Sequence, residues 1–432
     1  MSILKDSLAG RIADWGAPAM PVAQPALPAD GRSYLRGGAY PPLVHITLPR
    51  LLASAVAQFG PRDALVAPAE GIRLSYYDLD RAVDELASGM LALGLARGDV
   101  LALQAEGARA HVLRLATARA GFVLAELSPE LEPEQVRAAL RVSGARVLVP
   151  GVETPLEALL PDSTCGPSGA ISCPGLPDLK TLLSLTDPAP DGMLSLTALR
   201  AMAGPAQQLR LPGIDRLTDP DDCALILFGP DHLSGVAYSH YALVNAARCI
   251  AGLSGLLETD RLALCLPGAP AFSTGLLPAL ACGAAVLPAP ADALPVVLQE
   301  ARCTALRIRA QALAEVPADR PLSGVRLIVP SGRGTVTGPA IPLSLAELPD
   351  GLPLCLAPGG GWLQPHLEAK IVGADGRILP LGETGRLLIR GFALPLGYWR
   401  DPAQVFHDGW FDTGAKAAVD GDGSLRCTAP LA

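Results

Sequence analysis

The chain has 432 residues, enough for two or three packed units with a core each. Half of them are hydrophobic, which excludes global disorder. A formal net charge of -8 and only 4% aromatics argue against nucleic acid, which is gripped by clustered cations and stacking rings, and leave small molecules or proteins as partners.

Nine cysteines stand singly with no Cys-x-x-Cys pair, the usage of reduced thiols in a cytoplasmic protein. The first sixteen residues hold Lys5, Asp6, Arg11 and Asp14 and no apolar core segment, so no secretory signal is expected there.

From Thr47 onward helical and strand patterns alternate. Thr47 is placed to cap Leu48 to Gln58, and Ser75 precedes Tyr76 to Leu93, where Leu79, Val83, Leu86, Met90 and Leu93 recur at helical spacing. Gly94 and Gly98-Asp99 stop that helix and turn into an apolar strand, Val100 to Leu103. Helix Ala108 to Ala120, strand Phe122 to Leu127, helix Glu132 to Val142 and strand Arg146 to Val149 continue the series. That order implies parallel strands joined by helical crossovers.

Gly151 to Arg216 is dense in Pro, Gly, Ser and Leu and reads as a surface connector with one or two short helices. A second alternation follows: strand Cys223 to Phe228, helix Ser239 to Leu253, strand Leu262 to Leu266, helix Gly275 to Cys282, and strands Ala284 to Leu287, Thr304 to Ile308 and Val325 to Val329. Leu262 to Ala291 carries no charge and has the length of a membrane span, but Pro267, Pro270, Pro278, Pro288 and Pro290 cut it into pieces, so a buried strand, helix and strand is expected and no transmembrane segment. Short strands Glu368 to Val372 and Gly385 to Arg390, with the turn Asp420-Gly421-Asp422-Gly423, suggest a small antiparallel barrel or sheet at the end. The chain thus divides into an extension (1–45), a first α/β subdomain with its connector (46–218), a second (219–357) and a small β-rich one (358–432).

Several runs occur together in a telling order. They are Leu74-Ser75-Tyr76-Tyr77-Asp78-Leu79, Leu91-Ala92-Leu93-Gly94-Leu95-Ala96-Arg97-Gly98-Asp99-Val100, Ala118-Arg119-Ala120-Gly121, the strand-and-loop stretch from Asp222 to His240, Gly382-Glu383-Thr384-Gly385-Arg386-Leu387-Leu388-Ile389-Arg390-Gly391, Leu396-Gly397-Tyr398-Trp399 and Gly409-Trp410-Phe411-Asp412-Thr413-Gly414. The chain resembles the adenylate-forming (AMP-binding) superfamily in its fatty-acyl-CoA-synthetase branch, and Ser33-Tyr34-Leu35 with Ile46-Thr47-Leu48 resembles the medium-chain relatives. The resemblance implies the N-terminal domain of the adenylate-forming synthetase fold, two layered α/β subdomains plus a small β-barrel-like one. It implies a reaction that joins a carboxylate to the α-phosphate of ATP and passes the acyl group to coenzyme A, with ATP, magnesium and coenzyme A as the family's cofactors.

Against that pattern, residues of the site differ. The loop of the Asp222 to His240 stretch has no lysine and contains Asp231, where the family cradles a triphosphate. Thr413-Gly414 is followed by Ala415 where the family has the aspartate that accepts from the ribose, and Leu354 to Trp362 offers no carboxylate or hydroxyl for the metal. Leu266 to Phe272 lacks the family's histidine, and the mobile C-terminal domain with its catalytic lysine would begin where Ala432 ends the sequence. A retained fold with a dismantled site is expected, a truncated pseudoenzyme that binds or scaffolds.

No catalytic or metal residue is therefore assigned, and six residues are candidates for ligand binding. Ser234 and Gly235 could form an anion nest. Ser239 and His240 open a helix, either as phosphate contacts or as a capping turn. Ser331 and Gly332 follow the strand Val325 to Val329, where open α/β sheets bind ligands. A hydrolase on Ser331 is unsupported, since no Gly-x-Ser-x-Gly elbow surrounds it. Trp362, Trp399 and Trp410 read as packing residues, and Cys265 and Cys282 as inert core thiols. The expected ligand is an acyl or aryl carboxylate or an acyl-adenylate, and the expected protein partner an intact synthetase or a carrier protein. The alternative is an active medium-chain or aryl acid-CoA ligase with nonstandard nucleotide contacts or a separate C-terminal-domain partner.

Overall fold

The computed structural model describes residues 28, 30–152, 154–229, 233–289, 297, 302–309, 325–331, 341–342, 344–347, 353–357, 361, 363–400 and 406–427. Three large sheets organise them.

The first sheet has eight strands, in the order Leu194–Ser195, Thr181–Ser184, Val147–Val149, Val100–Leu103, Val123–Leu127, Cys223–Phe228, Val236–Ser239 and Gly397–Tyr398. It is parallel as far as Cys223–Phe228 and antiparallel beyond. The second sheet runs Pro353–Ala357, Ser344–Glu347, Leu327–Ser331, Ala305–Arg309, Arg261–Cys265, Ala285–Pro288, Asp63–Ala67 and Ile72–Ser75, with Ile341–Pro342 beside Leu327. The third is antiparallel: Tyr34–Arg36, Leu367–Val372, Gly385–Gly391, Trp410–Val419 and Phe406–His407, with Leu425–Cys427 on Trp410–Val419.

The helix Tyr76–Ala92 shows why these residues fold as they do. Ser75 accepts from Asp78 N–H while the Asp78 carboxylate accepts from Ser75 N–H, so the first turn is capped from both sides. Leu79, Val83, Leu86 and Met90 lie on one face at helical spacing and are fully buried. They belong to one apolar cluster that takes in residues of both α/β sheets and of the third sheet. Among the described residues no helix is long and apolar enough to cross a membrane.

Three expectations need correction. The supposed connector 151–216 contributes Thr181–Ser184 and Leu194–Ser195 to the first sheet and forms four short helices, Leu156–Leu159, Leu196–Ala201, Pro205–Gln208 and Leu211–Leu217. Its strands are too short for a two-residue period to emerge among the prolines, yet Leu182, Leu183 and Leu194 are buried. The helix expected from Gly275 begins at Gly268 and reaches Cys282 through a wider π turn over Phe272–Leu276. Finally, the sheets do not follow the division at 218/219: the hairpin Asp63–Ser75 belongs to the second sheet, and Cys223–Ser239 belongs to the first. Tyr34, in the expected N-terminal extension, likewise forms an edge of the third sheet.

Candidate functional site

In the first sheet Val100–Leu103 is followed along the chain by its neighbour on one side, Val123–Leu127, and then by its neighbour on the other, Val147–Val149. Arg261–Cys265 holds the same place in the second sheet, between Ala285–Pro288 and Ala305–Arg309. At such reversals the crossovers leave in opposite directions and open a crevice at the carboxyl ends of the strands, where ligands of open α/β sheets bind.

The loops that leave these two strands meet. Gly268 N–H donates to Glu106 Oε1 at 2.6 Å, and Arg309, at the end of Ala305–Arg309, stands 3.3 Å from Glu130, just beyond Val123–Leu127. The carboxyl edges of the two sheets therefore meet at these loops, the place where open α/β sheets have their ligand cleft. Its wall on the first-sheet side is polar: Gln104 Oε1 accepts from Thr154 Oγ1 at 2.9 Å and from Gly151 N–H at 3.4 Å, closing the crevice beside Val147–Val149.

Beneath the wall lies a buried ion pair. Arg114 donates to Glu126 through Nε at 2.6 Å and through NH2 at 3.1 Å, with both side chains shut off from water. His111 Nδ1 is 3.4 Å from Arg114 NH1, and burial together with the Arg114 charge holds that imidazole far below its usual range, hence neutral. Glu106 faces the same guanidinium at 3.9 Å. Burial pushes its carboxyl up to about 7, with the Glu126 charge adding to the effect and Arg114 and Gly268 N–H opposing it.

Sequence reasoning missed Glu106, Arg114, Glu126, Glu130 and Arg309. One signal was present: Glu126 interrupts the apolar run Phe122-Val123-Leu124-Ala125 before Leu127, and a charge inside a central parallel strand requires a buried partner.

Of the six named candidates, the five among the described residues separate into two groups. Gly229 follows the carboxyl end of Cys223–Phe228, next to Ser128, and the turn back to Val236 carries Ser234, which is exposed, and Gly235. Gly235 has φ +72°, and a Cβ there would come within 2.7 Å of the Phe228 ring, so packing as well as conformation demands glycine. Ser331 ends Leu327–Ser331 opposite Arg309, on the carboxyl edge of the second sheet, while Gly332 lies outside the described residues.

Ser239 and His240 lie at the opposite edge, because Ser239 pairs with Cys223 at the amino end of its strand. Ser239 caps the helix His240–Ser254 by accepting from Ala242 N–H at 3.1 Å. His240 is buried, its Nδ1 accepts from Leu48 N–H at 3.4 Å, and burial pushes its pKa down to about 4. The capping reading fits these two residues, and the phosphate reading is corrected: the antiparallel return carries them away from the cleft.

Two further features lie elsewhere. A surface cavity of about 680 Å³ is lined by Arg50, Tyr77, Asp80, Asp84, Arg119 and Asp215, whose charges pair among themselves, Arg119 with Asp80 and Asp84 and Arg50 with Asp215. His45, Asp219 and Asp221 present ligand-type atoms within 4.8 Å of one another, but all three are exposed and His45 pairs with Asp221 at 3.4 Å. Neither adjoins the cleft residues named above.

The end of the third sheet bears on nucleotide chemistry. Ala415 is fully buried on the inner face of Trp410–Val419. Asp412, the nearest carboxylate in sequence, is bound to Arg386 at 2.7 Å and accepts from Gly414 N–H at 3.1 Å. Trp410 packs as expected, with Lys370 and Arg390 within 4.1 and 4.7 Å of its ring centroid, and the Trp399 indole donates to Ser143 C=O. The expected metal segment is described only at Pro353–Ala357, Gly361 and beyond; Pro358 to Gly360 and Trp362 lie outside the described residues. Cys165, Cys173, Cys223, Cys249, Cys265, Cys282 and Cys303 are free, and burial pushes the Cys265 and Cys282 thiols up to about 12, which removes them as nucleophiles.

The description of the AMP-binding enzyme family fits residues 52–333, about two thirds of the chain and both faces of the cleft. The chain belongs to that family. Among relatives in this family, it is 28% identical over 458 residues to a mitochondrial medium-chain acyl-CoA ligase of Macaca fascicularis, covering 93% of this chain and 73% of the relative. The Danio rerio medium-chain ligase is 26% identical over 447 residues, with 92% and 73% covered. Among solved structures, a fatty acyl CoA synthetase of Mycobacterium tuberculosis superposes with a TM-score of 0.74 over 89% of this chain and 78% of that one, at 20% identity. The N-terminal domain of FACL13 from the same organism gives 0.72 over 89% and 100%, at 19% identity. Those superpositions bear on fold alone, and the fold is that of the N-terminal domain of adenylate-forming synthetases.

Proposed function

We propose that this chain is an acyl-CoA-synthetase-like protein impaired in ATP-dependent carboxylate adenylation. In this reading it binds an acyl or aryl carboxylate or acyl-adenylate in the cleft between the sheets and acts, in the reducing cytoplasm, as a binding or scaffold partner of an intact synthetase or a carrier protein. The observation that carries the reading is Ala415. The family resemblance assigns the position after Thr413-Gly414 to an acceptor for the ribose hydroxyls, and here a methyl group is packed into the sheet interior. Asp412 is engaged by Arg386 and Gly414 and offers no replacement. A hydrogen bond to a charged acceptor contributes about 1.5–3 kcal/mol, so its loss weakens nucleotide binding by roughly one to two orders of magnitude. The methyl group at this point offers no acceptor to a nucleotide ribose.

ATP–pyrophosphate exchange, measured across straight-chain and aromatic carboxylic acids, is expected to show no turnover above background. Calorimetric titration is expected to show weak or no binding of magnesium-ATP. Robust exchange with any acid would refute impairment and leave the second reading, an active medium-chain or aryl acid-CoA ligase with nonstandard nucleotide contacts. That reading is favoured by the similarity to medium-chain acyl-CoA ligases over 93% of the chain.

A further inference from the structure

We propose, on the reading that the cleft takes an acyl or aryl carboxylate, that Arg309 is the residue that selects it: the guanidinium binds the ligand's carboxylate, and Glu130 holds that place until the ligand arrives. Arg309 ends the strand Ala305–Arg309, which pairs with Arg261–Cys265 as far as Cys265 opposite Ile308. It therefore stands at the carboxyl edge where the strand order of the second sheet reverses. Its backbone lies opposite Ser331, one of the candidates for ligand binding.

Side chains alternate between the faces of a strand, so Arg307 and Arg309 share one. Arg307 is buried and donates to Thr274 Oγ1 at 3.1 and 3.3 Å, which keeps it within the protein. Arg309 reaches Glu130, just beyond Val123–Leu127 of the first sheet, with half of its side chain in water. Its NH1 and NH2 both point at the same oxygen, Glu130 Oε1, at 3.3 Å each. A matched guanidinium fork uses both carboxylate oxygens at about 2.7–2.9 Å. Arg114 and Glu126 approach that arrangement, with bonds of 2.6 and 3.1 Å to separate oxygens and no exposure to water. The Arg309–Glu130 pair is looser, and with side chains 49% and 59% exposed it contributes little to stability.

Such a pair is made for exchange. An arriving carboxylate meets Glu106 and Glu130 on the first-sheet side, which repel it, and Arg309 on the other, which attracts it. Displaced, Glu130 needs only to complete a hydration it already has in part, while the new carboxylate offers both oxygens to the fork. One ion pair replaces another, and no charge is left buried without a partner. A ligand with an amide in place of the carboxylate brings no charge to the guanidinium, and Glu130 keeps the position against it. The pair thus favours acids over their neutral isosteres, and Glu130 sets the affinity an acid must exceed.

The test is calorimetric titration of the full chain with octanoate against octanamide and benzoate against benzamide, pairs matched in shape and different in charge. The wild type is expected to bind one of the acids about tenfold or more tighter than its amide. Arg309→Gln should bring acid and amide within about twofold of each other, and Arg309→Lys, which keeps the charge without the fork, should fall between. Glu130→Gln should bind the acid about two- to fivefold tighter with the amide unchanged, because the resident competitor has lost its charge. Undiminished discrimination in Arg309→Gln overturns the assignment and leaves the acid-binding reading standing, as does equal affinity of the wild type for acid and amide. Binding of none of the four compounds by the wild type overturns both. Should Arg309→Gln fail to melt cooperatively, Arg309→Lys and Glu130→Gln decide, and acid affinities equal to wild type in both overturn the assignment.

Discussion

His240 illustrates how much one side chain's surroundings change its chemistry. A histidine that opens a helix invites an anion-binding role, since the N-terminal dipole favours negative charge. Here the ring is buried, Nδ1 accepts from Leu48 N–H, and Nε2 therefore carries the proton of a neutral imidazole. Burial is the largest cause of its depressed pKa, with Arg97 adding and Asp222 opposing. The unfolded chain takes up a proton near pH 6.5 and the folded chain only near 4, so this group withdraws stability as pH falls through that window and has no effect above it. The full effect is about 3 kcal/mol. Denaturant melts of the wild type and His240→Asn, whose oxygen can take the Leu48 bond, should diverge by that order between pH 7 and pH 4; parallel profiles would refute the buried neutral state.

Among the secondary elements, the helix Tyr76–Ala92 depends on both its cap and its apolar face. The reciprocal bonds of Ser75 and Asp78 satisfy N–H groups that have no partner within the helix. Ser75→Ala should lower stability by about 1 kcal/mol, read as a shift in urea midpoint at unchanged slope. An unshifted midpoint would mean that burial of Leu79, Val83, Leu86 and Met90 suffices to hold the first turn. Cap and periodicity were both legible in the sequence, because each is set by residues within four positions of one another. The short strands Thr181–Ser184 and Leu194–Ser195 were not, because what makes them strands is the sheet edge beside Val147–Val149.

For the molecule as a whole, the exchange of strands between sheets matters most. Residues 46–218 hold Asp63–Ser75 without its neighbour Ala285–Pro288, and Val123–Leu127 without Cys223–Phe228. Cut at 218/219, the fragment would expose an edge on an apolar parallel strand and leave a hairpin detached from its sheet. Expressed alone, 46–218 should aggregate or lack a cooperative circular-dichroism melt, whereas the full chain is expected to melt cooperatively; a soluble, cooperatively melting fragment would show that the first sheet is autonomous. The sequence by itself determined the alternation of helices and parallel strands, the antiparallel final block, the family and the replacement at Ala415, since these rest on local periodicity and ordered motifs. Tertiary structure decided which strands share a sheet, sent Ser239 and His240 away from the cleft, and joined Glu106 to Gly268 across 162 positions. A contact of that separation is selected by the packing of two sheets, and no local pattern of residues encodes it.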